Sequence, residues 1–291
     1  MTPIEHLLVI PVYNDWRSLN KLLLKINLCF KSQRKINNEI LIINDNSSEK
    51  IYVNYKKLKK IKKVKIITLK NNLGSQKAIA VGLNYIKKFK KECFITVMDS
   101  DGEDSPFQLR KMLAEAIKNP DYVITANRKR REEPWIIVLF YKIHLCLTFV
   151  FTLKWISFGN FTTFHKNNLQ KLLSDNSSWY AHSSSVLKNC KIKRLYSKRE
   201  KRYYDKSKLG LPALIEHSLR VNSVFIKNIL LTSSIYLLLT VNFLPESIKS
   251  ITILMIVTFN LCVISIKYKH WVRNFSKISY FIKKVSSLKT L

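Results

Sequence analysis

Four acidic side chains surround one glycine near the middle of the sequence. Asp99, Asp101, Glu103 and Asp104 flank Gly102 in the segment VMDSDGED, directly after an apolar run typical of a buried strand. Like charges at this spacing repel one another, and a metal ion is the usual reason to tolerate them. The D-x-D pair offers oxygen donors to a hard divalent cation that also binds the oxygens of a diphosphate. Taken alone, the pattern also fits an acidic loop or a helix N-cap, so its place in the fold decides between these interpretations.

The acidic cluster stands in a strongly basic chain. The 291 residues include 51 Lys and Arg against 19 Asp and Glu, a formal net charge of +32. Such a charge favours an anionic partner, and the candidates are nucleic acid, lipid headgroups and phosphorylated substrates. A bias of the source toward lysine, isoleucine and asparagine would give the same charge without any binding surface.

The cysteines and the first residues indicate the compartment. The five cysteines occur singly, without a C-x-x-C pair, which argues for reduced thiols rather than zinc or redox chemistry. The opening MTPIEHLLVIPVYND lacks the basic region and cleavage site of a signal peptide and predicts a first strand. We therefore expect the N-terminal region to stay in the cytoplasm.

The elements that must position the acidic cluster follow a repeated β-α pattern up to Arg128. Near-continuous apolar runs predict strands at 7–12, 39–45, 64–69, 93–99 and 121–127, and periodic segments predict helices at 15–31, 47–60, 75–89 and 106–118. The pattern predicts a Rossmann-like α/β sheet. Ligands of such sheets bind outside the carboxyl ends of the strands, where Tyr13, Asn14, Asp45 and the acidic cluster fall.

Beyond Arg128 the chain becomes apolar. A basic cluster precedes about twenty mostly apolar residues that Lys142, His144 and Lys154 interrupt, which favours one or two helices in the membrane interface over a clean span. A buried helix of the same domain is the alternative.

Two further apolar segments, 225–244 and 247–266, each have about the length of a membrane-crossing helix. Their short link, with Pro245 and Glu246, makes them a hairpin. Lysine and arginine residues crowd on both sides, which places both flanks in the cytoplasm. Two core helices of a soluble domain would have similar lengths but would show polar faces.

Several motifs, in their order and spacing, resemble glycosyltransferase family 2, the inverting enzymes of the GT-A fold. The motifs are PVYND at 11–15, IINDNSS at 42–48, NNLGSQKAIAVGL at 71–83, VMDSDGEDSPFQL at 97–109, ISFGNFTTF at 156–164 and the basic stretch at 199–225. Within the family the chain is most similar to the dolichol-phosphate mannosyltransferase-like branch, whose members carry a C-terminal transmembrane hairpin.

The resemblance implies a role for each matching position. Tyr13 would stack on the nucleotide base, and Asp45 would accept a hydrogen bond from a base N–H, with uracil and guanine both left open. Asp101 would bind a divalent cation, Mg²⁺ or Mn²⁺, and Asp99 would contact either the ribose of the substrate or the same cation. Gly74 would allow a close backbone approach. The remaining positions of the substrate pocket would be Pro11, Asn14, Asn72, Lys77, Arg128, Arg199, Arg202 and Lys208.

The catalytic positions implied by the resemblance are Asp101, Asp104 and Asn160. Asn160 stands in FGNF where relatives have GDF, and an asparagine cannot act as a general base. A lipid-phosphate acceptor is already ionised at neutral pH and needs no base, whereas a sugar hydroxyl would need one, for which Asp104 or Glu103 is the candidate. Glu200 and Asp205 stand where the family's basic segment has glycines, and their negative charge argues against phosphate binding by that segment.

These expectations combine into one domain plan. We expect a GT-A nucleotide-sugar-binding core at 1–130, an acceptor-side region with interfacial helices at 131–224, a transmembrane hairpin at 225–268 and a basic cytoplasmic tail at 269–291.

The function expected is metal-dependent, inverting transfer of a sugar from a UDP- or GDP-sugar to a polyprenyl phosphate or other lipid-linked acceptor. It would take place at the cytoplasmic face of the inner membrane, for cell-surface glycan assembly, with membrane lipids as partners, no nucleic acid and a homo-oligomer left open. One alternative is an inactive membrane scaffold of the same fold. A less favoured one is a basic nucleic-acid-binding protein, for which the sequence shows no helix-turn-helix, zinc-finger or RRM signature.

Overall fold

The computed structural model describes residues 3–33, 35–89, 92–128, 135–204, 210–272 and 275–289. The chain forms two compact units: the first comprises Met1–Arg131, Phe158–Lys206 and Asn274–Leu291, and the second comprises Glu132–Ser157 and Ser207–Arg273. This division differs from the predicted segments, because the region expected at 131–224 contributes to both units.

Within the described residues, eight strands form one sheet in the first unit. They are β1 Ile4–Val12, β2 Ile36–Asn44, β3 Ile61–Leu69, β4 Phe94–Val97, β5 Val123–Arg128, β6 Phe158–His165, β7 Ile192–Ser197 and β8 Ile282–Lys289. Their order is β7-β5-β6-β4-β1-β2-β3-β8. The α/β fold predicted from the sequence is confirmed.

In the part of the chain that the structure describes, the helices are α1 Trp16–Cys29, α2 Ser75–Lys87, α3 Pro106–Lys118, α4 Trp135–Thr152, α5 Asn167–Leu172, α6 Ser177–Tyr180, α7 His182–Asn189, α8 Leu211–Ser223, α9 Ile226–Phe243 and α10 Glu246–Lys269, with two 3-10 helices at Tyr55–Lys57 and Phe275–Phe281. The apolar face of α1 is fully buried, with Leu19, Leu22, Leu23 and Ile26 in the core of the first unit. These residues recur at helical spacing, which is why the sequence predicts this helix.

The centre of the sheet is parallel, as the apolar runs predict. β3, β2, β1 and β4 run parallel, so their carboxyl ends meet at one edge. β6 lies antiparallel between β4 and β5. Because Thr162 of β6 pairs with Val97 of β4, Asn160 lies beyond the carboxyl end of β4. The inserted strand therefore adds its own residues to the edge where ligands of such sheets bind.

The predicted basic tail at 269–291 contains a strand. β8 pairs antiparallel with β3, from Lys63 opposite Lys289 to Leu69 opposite Ile282. Main-chain pairing with an edge strand tolerates charged side chains that point to solvent, so a lysine-rich segment joins the sheet despite its charge.

The helix predicted at 47–60 is wrong, since the structure describes all of these residues and gives only the 3-10 turn. Side chains bind the main chain of this segment instead. Asn14 Oδ1 accepts hydrogen bonds from the N–H groups of Ser48 (2.9 Å) and Glu49 (3.2 Å). Asn20 accepts one from the Asn54 N–H (2.8 Å) and donates one to the Tyr52 carbonyl (2.8 Å). Such contacts compete with the hydrogen bonds of a helix.

The second unit contains α4, α8, α9 and α10, with a small apolar cluster of Phe151, Ile229, Ile256 and Val263. Only Leu244 and Pro245 separate α9 from α10, as the predicted hairpin requires. Both helices are long and apolar enough to cross a membrane, yet only 22% and 11% of the residues in their most apolar stretches are buried. A core helix of a soluble protein would be mostly buried.

Within residues 135–157, which the structure describes, the apolar segment that follows Arg128 forms one helix, α4. Trp135, Phe140 and Ile143 are exposed on it, whereas Leu145 and Phe151 are buried. The helix is therefore neither fully buried nor divided in two, and it has an exposed apolar side of the kind expected at a membrane interface.

Candidate active site

Asp45, the residue after β2, holds the loop that precedes α2. It is 2% exposed, and its two carboxylate oxygens accept hydrogen bonds from the main-chain N–H groups of Leu73 (2.7 Å) and Gly74 (2.8 Å). Burial raises the pKa of the Asp45 carboxyl, while these N–H groups and the nearby Lys77 ammonium lower it. Asn72 Oδ1 also accepts a hydrogen bond from the Gly74 N–H (3.1 Å). The loop is thus tied to the end of β2 before any ligand binds.

Gly74 is required by its torsion angle. Its φ is +83°, which strains any residue that carries a β-carbon. A β-carbon built there would meet nothing within 4 Å. The left-handed conformation, and not crowding by the protein, therefore explains the glycine.

Asn14, the second residue after β1, joins the ends of β1 and β2. Its φ is +47°, its main-chain N–H donates to Ser47 Oγ (3.0 Å), and its Nδ2 donates to Ser48 Oγ (3.1 Å). Tyr13 beside it has 42% of its surface exposed, so its ring is accessible to a ligand, whereas Pro11 is buried within β1.

The acidic segment after β4 folds into a tight loop. Asp104 is 7% exposed, and its Oδ2 accepts a hydrogen bond from the main-chain N–H of Asp99 (3.1 Å). Asp101 Oδ1 accepts one from the N–H of Glu103 (3.0 Å). Gly102 allows the sharp turn, with a φ of +90°. We call residues 99–104 the acidic loop.

A basic segment, residues 199–204, lies against the acidic loop. Arg202 donates from Nη1 to Asp101 Oδ2 (3.1 Å) and from Nη2 to Asp15 Oδ2 (3.4 Å), and Arg199 forms an ion pair with Glu103. Burial lowers the pKa of Arg199, although the charges of Asp101 and Asp99 raise it. The sequence resemblance implies phosphate contacts for both arginines; in this structure their partners are carboxylates.

Tyr203 fixes the basic segment in place. Its N–H donates to the Asp101 carbonyl (3.0 Å), and its ring occupies the space where a β-carbon of Gly102 would lie. Lys21 and Lys25 of α1 place their ammonium groups 5.0 Å and 4.4 Å from the centre of the same ring. Burial and the charges of Glu200 and Asp101 raise the pKa of the Tyr203 hydroxyl.

A chain of amide hydrogen bonds leads from the acidic loop to α7. Asn160 Nδ2 donates to Asp99 Oδ1 (3.0 Å), and Asn160 Oδ1 accepts from Gln76 Nε2 (2.9 Å). Gln76 Oε1 in turn accepts from the main-chain N–H of His182 (2.7 Å). The His182 ring is fully buried and contacts Thr162 Oγ1 through Nε2 (2.8 Å), and burial lowers its pKa to about 3.

Most of the predicted site residues meet at the carboxyl edge of the sheet. These are Tyr13, Asn14, Asp45, Asn72, Gly74, Lys77, Asp99, Asp101, Asp104 and Asn160, with Arg199 and Arg202 on the acidic loop. Arg128 ends β5 at the same edge. Lys208 lies outside the described residues. The individual roles of these residues stay predictions.

Sequence reasoning did not select Gln76 or His182. Gln76 is the second residue of α2, two positions after Gly74, and lies inside one of the motifs that resemble the family. A polar residue at the start of a helix, next to a loop predicted to bind a ligand, could have identified it. His182 had no such signal, because its contact to Gln76 spans 106 residues and uses only its main chain.

The acidic loop has donor chemistry that suits a divalent cation. Within the described residues, no three His, Cys, Asp or Glu side chains gather into a ready-made metal site. Asp99 and Asp101 nevertheless supply hard oxygen donors of the kind that Mg²⁺ and Mn²⁺ prefer. The Arg202 guanidinium, an organic cation, already lies on Asp101. A metal ion bound there would share this carboxylate with Arg202.

Comparison with known proteins decides the family. The model of "Glycosyl transferase family 2" matches residues 7–182, more than half of the chain. The chain belongs to glycosyl transferase family 2. This confirms the family predicted from the motifs, whereas the dolichol-phosphate mannosyltransferase-like branch stays a prediction.

Relatives of the family 2 chain are named as glycosyltransferases. An uncharacterized glycosyltransferase of Synechocystis sp., sll0501, is 28% identical over 148 residues, which cover 48% of this chain and 44% of the relative. The uncharacterized glycosyltransferase YkcC of Bacillus subtilis is 27% identical over 145 residues, 48% of this chain and 43% of the relative. The match thus spans less than half of each relative's own length.

A solved structure shares the fold. Glucosyl-3-phosphoglycerate synthase from Mycobacterium tuberculosis, in complex with Mn²⁺, UDP and glucosyl-3-phosphoglycerate, aligns with a TM-score of 0.50 and 9% identity, covering 77% of this chain and 80% of that one. At this identity the similarity concerns the fold.

Proposed function

We propose that this family 2 chain transfers a sugar, with inversion, from a nucleoside diphosphate to a polyprenyl phosphate or another lipid-linked acceptor. One observation carries the proposal: the Asp45 loop and the acidic loop meet at a single edge of the sheet. A nucleoside would bind at the first and its diphosphate at the second.

The reaction requires few protein groups. An ionised acceptor oxygen attacks the anomeric carbon from the face opposite the nucleotide. The bond between that carbon and the diphosphate oxygen breaks, and the leaving nucleoside diphosphate takes the electron pair. Because a phosphate acceptor carries no proton at this oxygen, no general base is needed, and an asparagine at position 160 is compatible with transfer.

The residues of the chain would bind and orient the donor. The accessible ring of Tyr13 would stack on the base, and the loop that Asp45 holds would line the nucleotide pocket. Lys77, Arg199 and Arg202 would supply positive charge for the diphosphate.

Asp99 and Asp101 would hold a divalent cation. When bound, the cation would neutralise negative charge on the departing diphosphate. The similar fold solved with Mn²⁺ and UDP supports this choice of ligand. A cation would also relieve the repulsion between the carboxylates of the acidic loop.

The second unit would anchor the enzyme in a membrane. At 1.5 Å per residue, α9 and α10 are about 27 Å and 36 Å long, close to the hydrocarbon thickness of about 30 Å. Basic residues on both sides favour a hairpin with both flanks in the cytoplasm, as in the dolichol-phosphate mannosyltransferase-like branch. We therefore propose the cytoplasmic face of the inner membrane as the place of the reaction.

The test combines donors, metal and lipid in one assay. Detergent-purified protein is incubated with a panel of UDP- and GDP-sugars, Mg²⁺ or Mn²⁺ and total membrane lipid, and lipid products are identified by mass. We expect one donor to yield a glycosylated lipid, and Asp101→Ala to lower the rate about 100-fold or more, the size of effect found when a group that stabilises transition-state charge is removed.

The matched control is Asp121→Ala, at an exposed aspartate outside the site. It should leave the rate unchanged. If no donor is consumed while the purified protein still binds lipid vesicles, the inactive-scaffold alternative gains support. Salt-sensitive binding to DNA would instead favour the nucleic-acid alternative.

A further inference from the structure

The hydrogen-bond chain from His182 to Asp99 has a fixed direction. A main-chain N–H can only donate, so the oxygen of the Gln76 amide must face His182 and its nitrogen must face Asn160. The oxygen of Asn160 then accepts, which leaves its nitrogen facing Asp99. One main-chain N–H therefore determines the orientation of two side-chain amides.

The chain is buried at Gln76 and His182 and half-buried at Asn160 and Asp99. Gln76 is 4% exposed, and His182 is fully buried. The three hydrogen bonds measure 2.7 Å, 2.9 Å and 3.0 Å. An amide that turned around would place two oxygens or two N–H groups against each other and would lose two hydrogen bonds, each buried or half-buried.

We infer that Gln76 is a positioning residue. It acts through Asn160, whose N–H group holds the Asp99 carboxylate toward the proposed binding site of the sugar nucleotide. The functional part of this inference rests on the proposed function, because it assigns Asp99 to the cation. The arrangement also gives Asn160 a task that an aspartate could not perform, since an ionised carboxylate has no N–H to donate to Asp99.

The direction of the chain allows a test on stability alone. Gln76→Glu keeps the shape but cannot donate to Asn160. If Asn160 turns to satisfy the new carboxylate, its oxygen faces the carboxylate of Asp99. With Asp99→Asn, a turned Asn160 finds an N–H donor, and the two hydrogen bonds beyond position 76 can run in the opposite direction while the His182 N–H still donates to the residue at position 76.

We therefore expect a double-mutant cycle of Gln76→Glu and Asp99→Asn to show strong coupling in thermal unfolding. The loss of melting temperature caused by Gln76→Glu should be smaller by about 3–6 °C in the Asp99→Asn background. Additive effects would overturn the inference. If Gln76→Glu alone does not fold, recovery of folding in the double variant supports it, and failure of the double variant while Asp99→Asn folds refutes it.

Two controls separate the hydrogen-bond chain from simple repulsion between charges. In an Asn160→Ala background the coupling should disappear, whereas direct repulsion between Glu at position 76 and Asp99 would persist. Gln108→Glu places the same change on another buried helical glutamine, whose Nε2 donates to the Tyr196 carbonyl (3.4 Å). The changes in melting temperature caused by Gln108→Glu and by Asp99→Asn should be additive.

A second measurement connects the chain to the cation. Gln76→Leu should weaken Mn²⁺ binding about tenfold, measured by the electron paramagnetic resonance signal of free Mn²⁺, because residues that orient a metal ligand have effects of this size. Unchanged Mn²⁺ affinity would refute the positioning role. The two measurements can also disagree. If the mutant cycle shows coupling but the unmodified protein binds no Mn²⁺, the hydrogen-bond chain is supported and the cation site of the proposed function is contradicted.

Discussion

On the side of the site where we propose that the nucleoside binds (the nucleotide side), both carboxylate oxygens of Asp45 accept hydrogen bonds from main-chain N–H groups, whereas on the side of the acidic loop (the acidic side) Asp101 accepts one from the Glu103 N–H and one from the Arg202 side chain. Main-chain donors in a loop that is anchored at both ends cannot leave without unfolding the loop. A guanidinium on a long side chain can leave and can exchange for another cation. The loop that Asp45 holds is thus in place before a ligand binds, whereas one oxygen of Asp101 is bound by a group that another cation can replace.

The largest expected difference between the two sides is in stability. Asp45→Ala leaves the Leu73 N–H without this acceptor and the Gly74 N–H with Asn72 Oδ1 only, and it should lower the free energy of unfolding by about 3 kcal/mol. Asp101→Ala removes one main-chain hydrogen bond, from the Glu103 N–H, and should cost about 1 kcal/mol, because Arg202 keeps its contact with Asp15. Urea unfolding followed by tryptophan fluorescence measures both. Equal losses would contradict the comparison.

A second prediction uses pH, because the buried His182 lies behind the acidic side. Its pKa is lowered to about 3 in the folded chain, against 6.5 when unfolded, so the unfolded state binds more protons between these values. The contribution of neutral His182 to the free energy of unfolding is fully present above pH 6.5 and is lost as the pH falls toward 3. From pH 7 to pH 5 the loss should be about 2 kcal/mol.

The variant that checks the origin of this pH dependence is His182→Asn, which retains a hydrogen-bonding group but does not titrate. Thermal unfolding between pH 5 and pH 7 should show a flatter profile for the variant. His6, whose pKa burial lowers to about 4, contributes in the same direction and should account for the remaining slope. An unchanged profile in His182→Asn would exclude this histidine as the source.

A third, smaller effect tests how far the nucleotide side is preformed. Gly74→Ala should cost about 1 kcal/mol of stability and raise the KM for the donor, because alanine resists a φ of +83°. Gly210→Ala, at an ordinary φ of −73°, is the control and should change the donor KM little. A Gly74→Ala variant with normal donor KM would mean that the loop tolerates another conformation.

The smallest expected effect concerns the exchange of cations on the acidic side. Arg202→Gln removes a positive charge from Asp101 and should raise the affinity for Mn²⁺, in the absence of donor, about threefold. Lys201→Gln, at an exposed neighbouring position, should leave the affinity unchanged. Weaker Mn²⁺ binding in Arg202→Gln would show that the arginine supports the cation site and does not compete with it.

The parts of the site that were predictable from the sequence are those with a local signal. Apolar runs predict β1 to β5, and polar residues directly after these runs predict Asn14, Asp45 and the acidic loop at one edge. The helix expected at 47–60 was wrong because asparagine side chains from β1's loop and from α1 bind the main chain of that segment. Those contacts reach across 34 residues and leave no periodic pattern.

The amino-acid sequence by itself determined the family, the parallel centre of the sheet and the presence of two long apolar helices, because each depends on residue types repeated at short spacing. Tertiary structure decided the insertion of β6, the pairing of β8, the arginines on the acidic loop and the direction of the amide chain. In the site, the hydrogen bonds of the arginines and of the amide chain join residues that are 61 to 187 positions apart in the sequence. Only the folded chain brings such residues together, since their pairing depends on distance and on the burial of donors and acceptors, for which no local pattern in the sequence exists.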